Sequence, residues 1–151
     1  MDLQIDSTDK RIIQLLARDS RMPILEIARD LNVSGAAVHQ RLNKLKKKGI
    51  ITGSTIDLNY KALGYTSCAY LGLYLDKASE YGKAVHRLKS IPEVIECHYT
   101  TGKYSLFIKV IAKNNDHLMS LLTDKIQKIP GVNRTETFIS LDESISRVLL
   151  P

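Results

Sequence analysis

Apolar residues recur at helical spacing through the first third of the chain. Ile12, Ile13, Leu15 and Leu16 give one apolar face to a helix predicted over residues 6–18, with Ser7, Thr8 or Asp9 available as its cap. Ile24, Ile27, Ala28 and Leu31 predict a second short helix, and Pro23 suits its first turn. Asn32 tolerates the left-handed backbone of a tight turn, and Ser34 is a fitting cap for a third helix. Val38, Leu42 and Leu45 stand at i, i+4 and i+7, the buried face of that helix. Gly49 ends it. Two short helices joined by a tight turn, the second running into a basic cluster, form the layout of a helix-turn-helix.

After Gly49 the period changes. IITGSTIDL alternates and is β-branched, so it reads as a small wing hairpin or as an extended strand leaving the first domain. Residues 59–63 read as one helical turn, closed by Gly64. Strand-like runs at 67–75, 94–101, 104–112 and 132–140 then alternate with helical stretches at 79–89 and 115–128. Ile91-Pro92-Glu93-Val94 recurs 38 residues later as Ile129-Pro130-Gly131-Val132, each copy at a helix-to-strand corner. Two β-α-β units side by side predict a ferredoxin-like βαββαβ domain. The expected class is therefore α+β: a winged helix-turn-helix over residues 1–52, a linker at 53–64 and the ferredoxin-like domain at 65–151. Tyr70, Leu71, Leu73 and Tyr74 leave few polar positions on the first strand, and LFIKVIA is nearly continuous. A sheet apolar on both faces needs a second cover, and another copy of the chain supplies it, so a homodimer is expected.

Charge changes this picture locally. The net charge is +6, but between Val33 and Thr52 five basic residues (Arg41, Lys44, Lys46, Lys47 and Lys48) occur with no acid. Such a block is a footprint for phosphates. It also fits a solvated helix end whose lysines favour the negative C-terminal dipole. No apolar run approaches the ~18 residues of a membrane span. The opening MDLQIDSTDK has no apolar core of a secretory signal, so a cytoplasmic protein with no membrane partner is expected. Cys68 and Cys97 sit in no paired or metal spacing and are expected to be buried free thiols. His86, His98 and His117 share no metal spacing. With no Ser/His/Asp grouping, P-loop or dinucleotide fingerprint, neither catalysis nor a cofactor is expected.

With Val38, Leu42 and Leu45 inward, the outward residues of the third helix are Gly35, Ala36, Ala37, His39, Gln40, Asn43 and Lys44. Gln40 and Asn43 suit adenine edges, His39 a base or phosphate, and Ala36 and Ala37 a thymine methyl or close approach. Ser34 and the helix N-terminus suit a phosphate. Lys46, Lys47 and Lys48 have two readings, contact with the DNA backbone or plain solvation. Arg41 has two readings, phosphate binding or an ion pair with Asp9 or Asp30. In the second domain the loop Thr100, Thr101, Gly102, Lys103, Tyr104 and Ser105 presents backbone N–H groups of the kind that hold a carboxylate. Tyr104 would wall such a pocket and Ser105 would read a side-chain amide. The other reading is a plain hairpin turn that needs Gly102 for positive φ.

The two halves together resemble the Lrp/AsnC (feast/famine) family of transcription regulators over essentially the whole chain. The first half carries it on Asp6 and Asp9 before the Ile12–Leu16 face, Arg21 with Glu26-Ile27-Ala28, Val33-Ser34, Val38-x-x-Arg41-Leu42 and Gly49-Ile50-Ile51. The second half carries it on Lys61-x-Leu63-Gly64 and Thr101-Gly102-Lys103-Tyr104-Ser105. The resemblance implies double-stranded DNA as partner, a homodimer that assembles further to an octamer, and a small amino acid as effector. It implies that residues near Asp124, with Thr135, Glu136 and Thr137 of a neighbouring dimer, complete the effector pocket. TTGKYSLFIKV, KIQKIPG and TETFISL are most similar to the asparagine-responsive branch, so asparagine is the expected effector. Many family members carry Asp where this chain has Ser105, and the third helix here holds more lysine. The function expected is sequence-specific transcription regulation modulated by an amino acid. An effector-independent, DNA-wrapping architectural protein is the alternative, and a metabolic enzyme with a ferredoxin-like domain is a remote third.

Overall fold

The computed structural model describes residues 5–151; the first four residues, which the expected first domain includes, lie outside them. The chain packs as two compact units. One runs to Asp57 and takes in Ile145–Pro151; the other is Leu58–Ser144. The expected second domain extends to Pro151, whereas these last seven residues cluster with the first unit, where Gln14 Nε2 donates to the Pro151 carbonyl at 3.4 Å.

Three helices build the first unit: α1 (Ser7–Arg18), α2 (Ile24–Leu31) and α3 (Gly35–Lys47). The cap of α1 is Asp6, not Ser7, Thr8 or Asp9. Its carboxylate accepts from Asp9 N at 2.8 Å, and Asp9 reaches back to Asp6 N at 3.4 Å. That reciprocal box satisfies two orphan donors at once, which no serine or threonine one residue later could do. Asn32 takes the left-handed conformation, φ 53°, between α2 and α3. Ser34 caps α3 by accepting from Ala37 N at 3.1 Å, and Gly49 follows the helix at φ 68°. Ile12, Leu15, Ile27, Ala28, Val38, Leu42 and Leu45 close one core. Each fully buried aliphatic side chain there contributes about 2 kcal/mol. Past Ile51 no strand forms among the described residues of this unit. Residues 52–58 form neither the hairpin nor the strand expected of IITGSTIDL, and Ile56 and Leu58 are exposed, so no packed partner favours strand pairing there.

In the second unit, residues 59–65 make the expected helical turn, with Gly64 at φ 84°. Then follow β1 (Ser67–Leu75), α4 (Tyr81–Lys89, entered by a 3-10 turn), β2 (Val94–Tyr99), β3 (Leu106–Ala112), α5 (Asn115–Ser120, continued by a π-helical turn over Leu121–Ile126) and β4 (Val132–Ser140). The sheet is antiparallel in the order β2-β3-β1-β4, the ferredoxin-like arrangement read from the repeat. Strand alternation sorts the side chains. Ala69, Leu71, Leu73, Leu106, Ile108, Val110 and Ala112 face α4 and α5 and are buried with Ala84, Leu88, Leu118, Leu121 and Ile126. Ile91 and Ile129, the first residues of the two repeat copies, plug the same core at its corners. Gly131 sits at φ 88°, and a Cβ there would strike Glu80.

The opposite face carries Tyr70, Tyr74, Phe107 and Phe138 in a continuous aromatic strip, with Tyr104 joining them. It is less apolar than the sequence implies, because Leu71 and Leu73 belong to the helix side and Lys109, Glu96 and Glu136 lie on the aromatic side. Lys109 is nearly buried there, pairing with Glu143 at 3.0 Å and Glu96 at 3.7 Å. Both cysteines are free thiols, but neither is buried: Cys68 is half-buried and Cys97 exposed, the latter since β2 is an outer strand whose last five residues are open to solvent.

Candidate DNA interface and effector loop

Helix α3 turns its Val38–Leu42–Leu45 edge into the core, so its other edges are free. Gln40, Asn43, Lys44, Lys47 and Lys48 with Ala37, Arg41 and Asp6 line one open groove along it. Ala36 and His39 are exposed as well. Amide side chains of the kind that suit base edges thus share a groove with ammonium groups of the kind that suit phosphates. Gly35 is only partly exposed, and a Cβ there would make an ordinary 3.4 Å contact with Leu25 Cδ2 of α2. The Ser34 hydroxyl is engaged as the cap.

Arg41 resolves to the ion-pair reading, with Asp9 and not Asp30. Its Nη1 lies 2.8 Å from Asp9 Oδ1 and 2.6 Å from Asp6 Oδ2, while Asp30 is held by Arg11 at 3.1 Å. Asp9 is fully buried, and a buried carboxylate requires a partner cation. Lys44 Nζ stands 3.9 Å from its other oxygen. Hydrogen bonds from Asp9 N and Arg41 hold the Asp6 carboxyl below its ordinary range. Asp6 is the groove residue not named as a candidate from the sequence, and the Asp-x-x-Asp spacing at the head of α1 is the signal for it.

The loop between β2 and β3 is tied down at both ends. Thr100 N donates to Ser105 O at 3.2 Å and its hydroxyl to Tyr104 O. Ser105 N donates to Leu73 O at 2.9 Å, and its Oγ accepts from Leu75 N at 3.3 Å. Tyr104 folds back across β1 over Gly72, where no Cβ would fit. Its hydroxyl donates to Glu136 Oε2 at 2.7 Å. Tyr74 donates to the other oxygen at 2.9 Å, Lys103 Nζ stands 2.9 Å from it and Arg134 Nη2 3.0 Å. These donors, Tyr104 first, then Lys103 and Tyr74, pull the Glu136 carboxyl down to about 2. The same bond to Glu136 raises Lys103.

Gly102 departs from the plain-turn reading. Its φ is not positive, and a Cβ there would meet nothing within 4 Å. Within the chain neither conformation nor packing calls for glycine at this position. Thr101, Gly102 and Lys103 are exposed at the tip. The remaining candidates divide between the two faces of the sheet. Glu136 joins the loop of its own chain. Thr135 and Thr137 pair with Leu73 and Leu71 and so face the helices. There Gln127 Nε2 donates to Thr135 Oγ1 at 3.0 Å. Asp124 lies exposed on the π-helical turn, 3.5 Å from Lys128 Nζ. The alternation of β4 cannot bring Thr135, Glu136 and Thr137 to one side.

Comparison with known proteins covers both units. A family described as Lrp/AsnC ligand binding domain matches residues 68–150, and one described as winged helix-turn-helix DNA-binding matches residues 5–52. The chain is 40% identical over 147 residues to Regulatory protein AsnC of Haemophilus influenzae, spanning 97% of this chain and 98% of that one. The solved structure of E. coli AsnC superposes with a TM-score of 0.93 at 40% identity, over 98% of this chain and 99% of that one. The feast or famine regulatory protein from M. tuberculosis, solved as a complex with L-methionine, gives a TM-score of 0.90 at 28% identity over 98% and 100%.

Proposed function

The chain belongs to the Lrp/AsnC family of transcription regulators, and from that premise we propose that it is a regulator whose DNA occupancy responds to asparagine. Its first unit is a DNA-binding winged helix-turn-helix and its second is the family's ligand-binding domain. In the proposal Gln40 and Asn43 contact base edges, with His39 and Ala36 beside them, while Lys44, Lys47 and Lys48 hold phosphates. The aromatic face of Tyr70, Tyr74, Phe107 and Phe138 packs against a second copy, and dimers assemble further. The regulator works in the cytoplasm and carries out no catalysis, in keeping with the regulator names of its relatives.

The observation that carries the effector half is Gly102. An exposed glycine with no need for its own backbone freedom and open space around it leaves backbone N–H groups accessible to a carboxylate. The flanking residues are pinned by Glu136 and the strand ends, so the loop is pre-organised. Asparagine as the ligand rests on the AsnC-named relatives and on Ser105, whose hydroxyl keeps a proton to donate after accepting from Leu75 N. The effector would act through its unequal affinity for two assembled states.

A thermal-shift panel of the common amino acids tests this on wild type and on Gly102→Val. A ligand that binds only the folded form stabilises by RT ln(1 + [L]/Kd). The wild-type chain should gain stability selectively with L-asparagine. The variant should melt at the wild-type temperature without ligand, since the added side chain meets nothing, and should show no such rise with it. A response to a different amino acid would keep the regulator and replace the effector. Silence across the panel would favour the architectural, effector-independent reading.

A further inference from the structure

Three acids bear on the head of α1 and the groove of α3, and they differ in what the fold asks of them. Asp30 pairs with Arg11 and lies outside the groove. Asp9 is fully buried and requires the guanidinium of Arg41. Asp6 is half exposed, 52% at its side chain, and lines the same groove as Gln40, Asn43, Lys44, Lys47 and Lys48. Its structural task is to cap α1 by accepting from Asp9 N, and asparagine or serine performs that task about as well. The charge of Asp6 is thus surplus to the fold. It sits 2.6 Å from Arg41 Nη1, the same nitrogen that pairs with Asp9 at 2.8 Å. Arg41 is shared between two carboxylates in a groove whose other charged residues are lysines.

From this geometry we infer that Asp6 is a specificity-determining residue: it withholds Arg41 from the DNA backbone, lowering sequence-independent attraction so that the base-reading side chains decide the site. The inference rests on α3 being the DNA-facing helix. Phosphate contacts add affinity without sequence information, whereas base-edge contacts discriminate. An acid that cancels one groove cation lowers binding to every sequence alike, and so raises the relative weight of Gln40 and Asn43.

The test is binding of the full chain to a labelled random-sequence DNA duplex across a series of KCl concentrations, for wild type, Asp6→Asn and Asp19→Asn. Asp19 closes α1 thirteen residues away, about 20 Å along the helix and beyond one screening length at 0.1 M salt. Both variants make the same change in net charge. For Asp6→Asn we expect a log K against log[KCl] slope steeper by about 0.9 and affinity about fivefold to tenfold higher at 0.1 M KCl, the signature of one further neutralised phosphate. In a randomised duplex library its ratio of best to median binding should fall. Asp19→Asn should follow wild type. Asp6→Ser, which also caps the helix, guards against an effect peculiar to asparagine, and its melting temperature checks the fold. Wild-type slope and affinity in both Asp6 variants would overturn the inference alone, as would an equal rise in Asp19→Asn. A wild-type chain with no salt-dependent duplex binding would overturn the assignment of α3 and this inference with it.

Discussion

Tyr104 occupies the space that a side chain at residue 72 would need. Gly72 lies in mid-strand on β1, and a Cβ built there would clash with the Tyr104 ring at Cδ1. Glycine in a strand interior costs packing and entropy, and close approach of another group is a standard reason for it. Here that group links the loop tip to the aromatic face, through Phe107 at 5.9 Å and Phe138 at 6.2 Å between ring centroids, and to β4 through Glu136. Gly72→Ala should expel the ring and lower unfolding stability by about 1–3 kcal/mol, the usual cost of overpacking. Urea denaturation of the second unit's transition measures it. Unchanged stability together with an intact Tyr104–Glu136 bond would show that the ring moves aside freely.

Glu136 gives the loop a pH dependence of known sign. Its carboxyl is lowered from 4.5 to about 2 in the folded chain, first by the Tyr104 hydroxyl, then by Lys103 and Tyr74. A depressed folded-state value means the contribution is full above 4.5 and is lost as pH falls toward about 2. Protection factors at residues 101–105, exchange referred to the intrinsic rate at each pH, should therefore fall through that window in wild type. In Glu136→Gln protection should already be low at pH 6 and change little on acidification. Matching exchange profiles for the two proteins would contradict the anchoring role.

Arg41 carries a stability load that its position on the recognition helix conceals. Removing it leaves Asp9 buried with only Lys44 at 3.9 Å. Arg41→Ala should destabilise the first unit by about 3 kcal/mol, and Arg41→Lys should recover part of that. Should DNA binding fall while the unfolding midpoint stays put, Arg41 would be a phosphate ligand after all.

Base and phosphate roles separate by salt. Gln40→Ala with Asn43→Ala should flatten sequence preference with little change in the salt slope. Lys44→Ala with Lys47→Ala should reduce the slope by roughly 0.9 for each phosphate no longer neutralised, and should weaken all sequences alike. Fluorescence anisotropy on a randomised library and on single duplexes distinguishes the two outcomes. Identical behaviour of the two double variants would dissolve the division of labour.

Much of the fold is legible in the sequence because local signals agree with one another. The i, i+4, i+7 spacing of Val38, Leu42 and Leu45 is enough to fix the buried edge of α3, and the Ile-Pro repeat sets the order of strands and helices. What stays hidden depends on partners distant in sequence. The cap of α1 reads as Ser7, Thr8 or Asp9 until Asp9 is seen to close the box with Asp6. Arg41 could face DNA or protein until the burial of Asp9 decides it. The split of Thr135 and Thr137 from Glu136 follows from strand alternation, and becomes visible once register with Leu71, Gly72 and Leu73 is set. Gly102 misleads because loop glycines commonly serve positive φ, a role taken in this unit by Gly64 and Gly131.

The most direct test is the effect of L-asparagine on DNA affinity. The dissociation constant of the full wild-type chain for a duplex selected from a random library should be measured with and without millimolar L-asparagine, and with each other common amino acid in turn. A change selective for L-asparagine, absent in Gly102→Val, is the expected result. Affinity indifferent to every amino acid, in a chain that binds DNA normally, would contradict effector control.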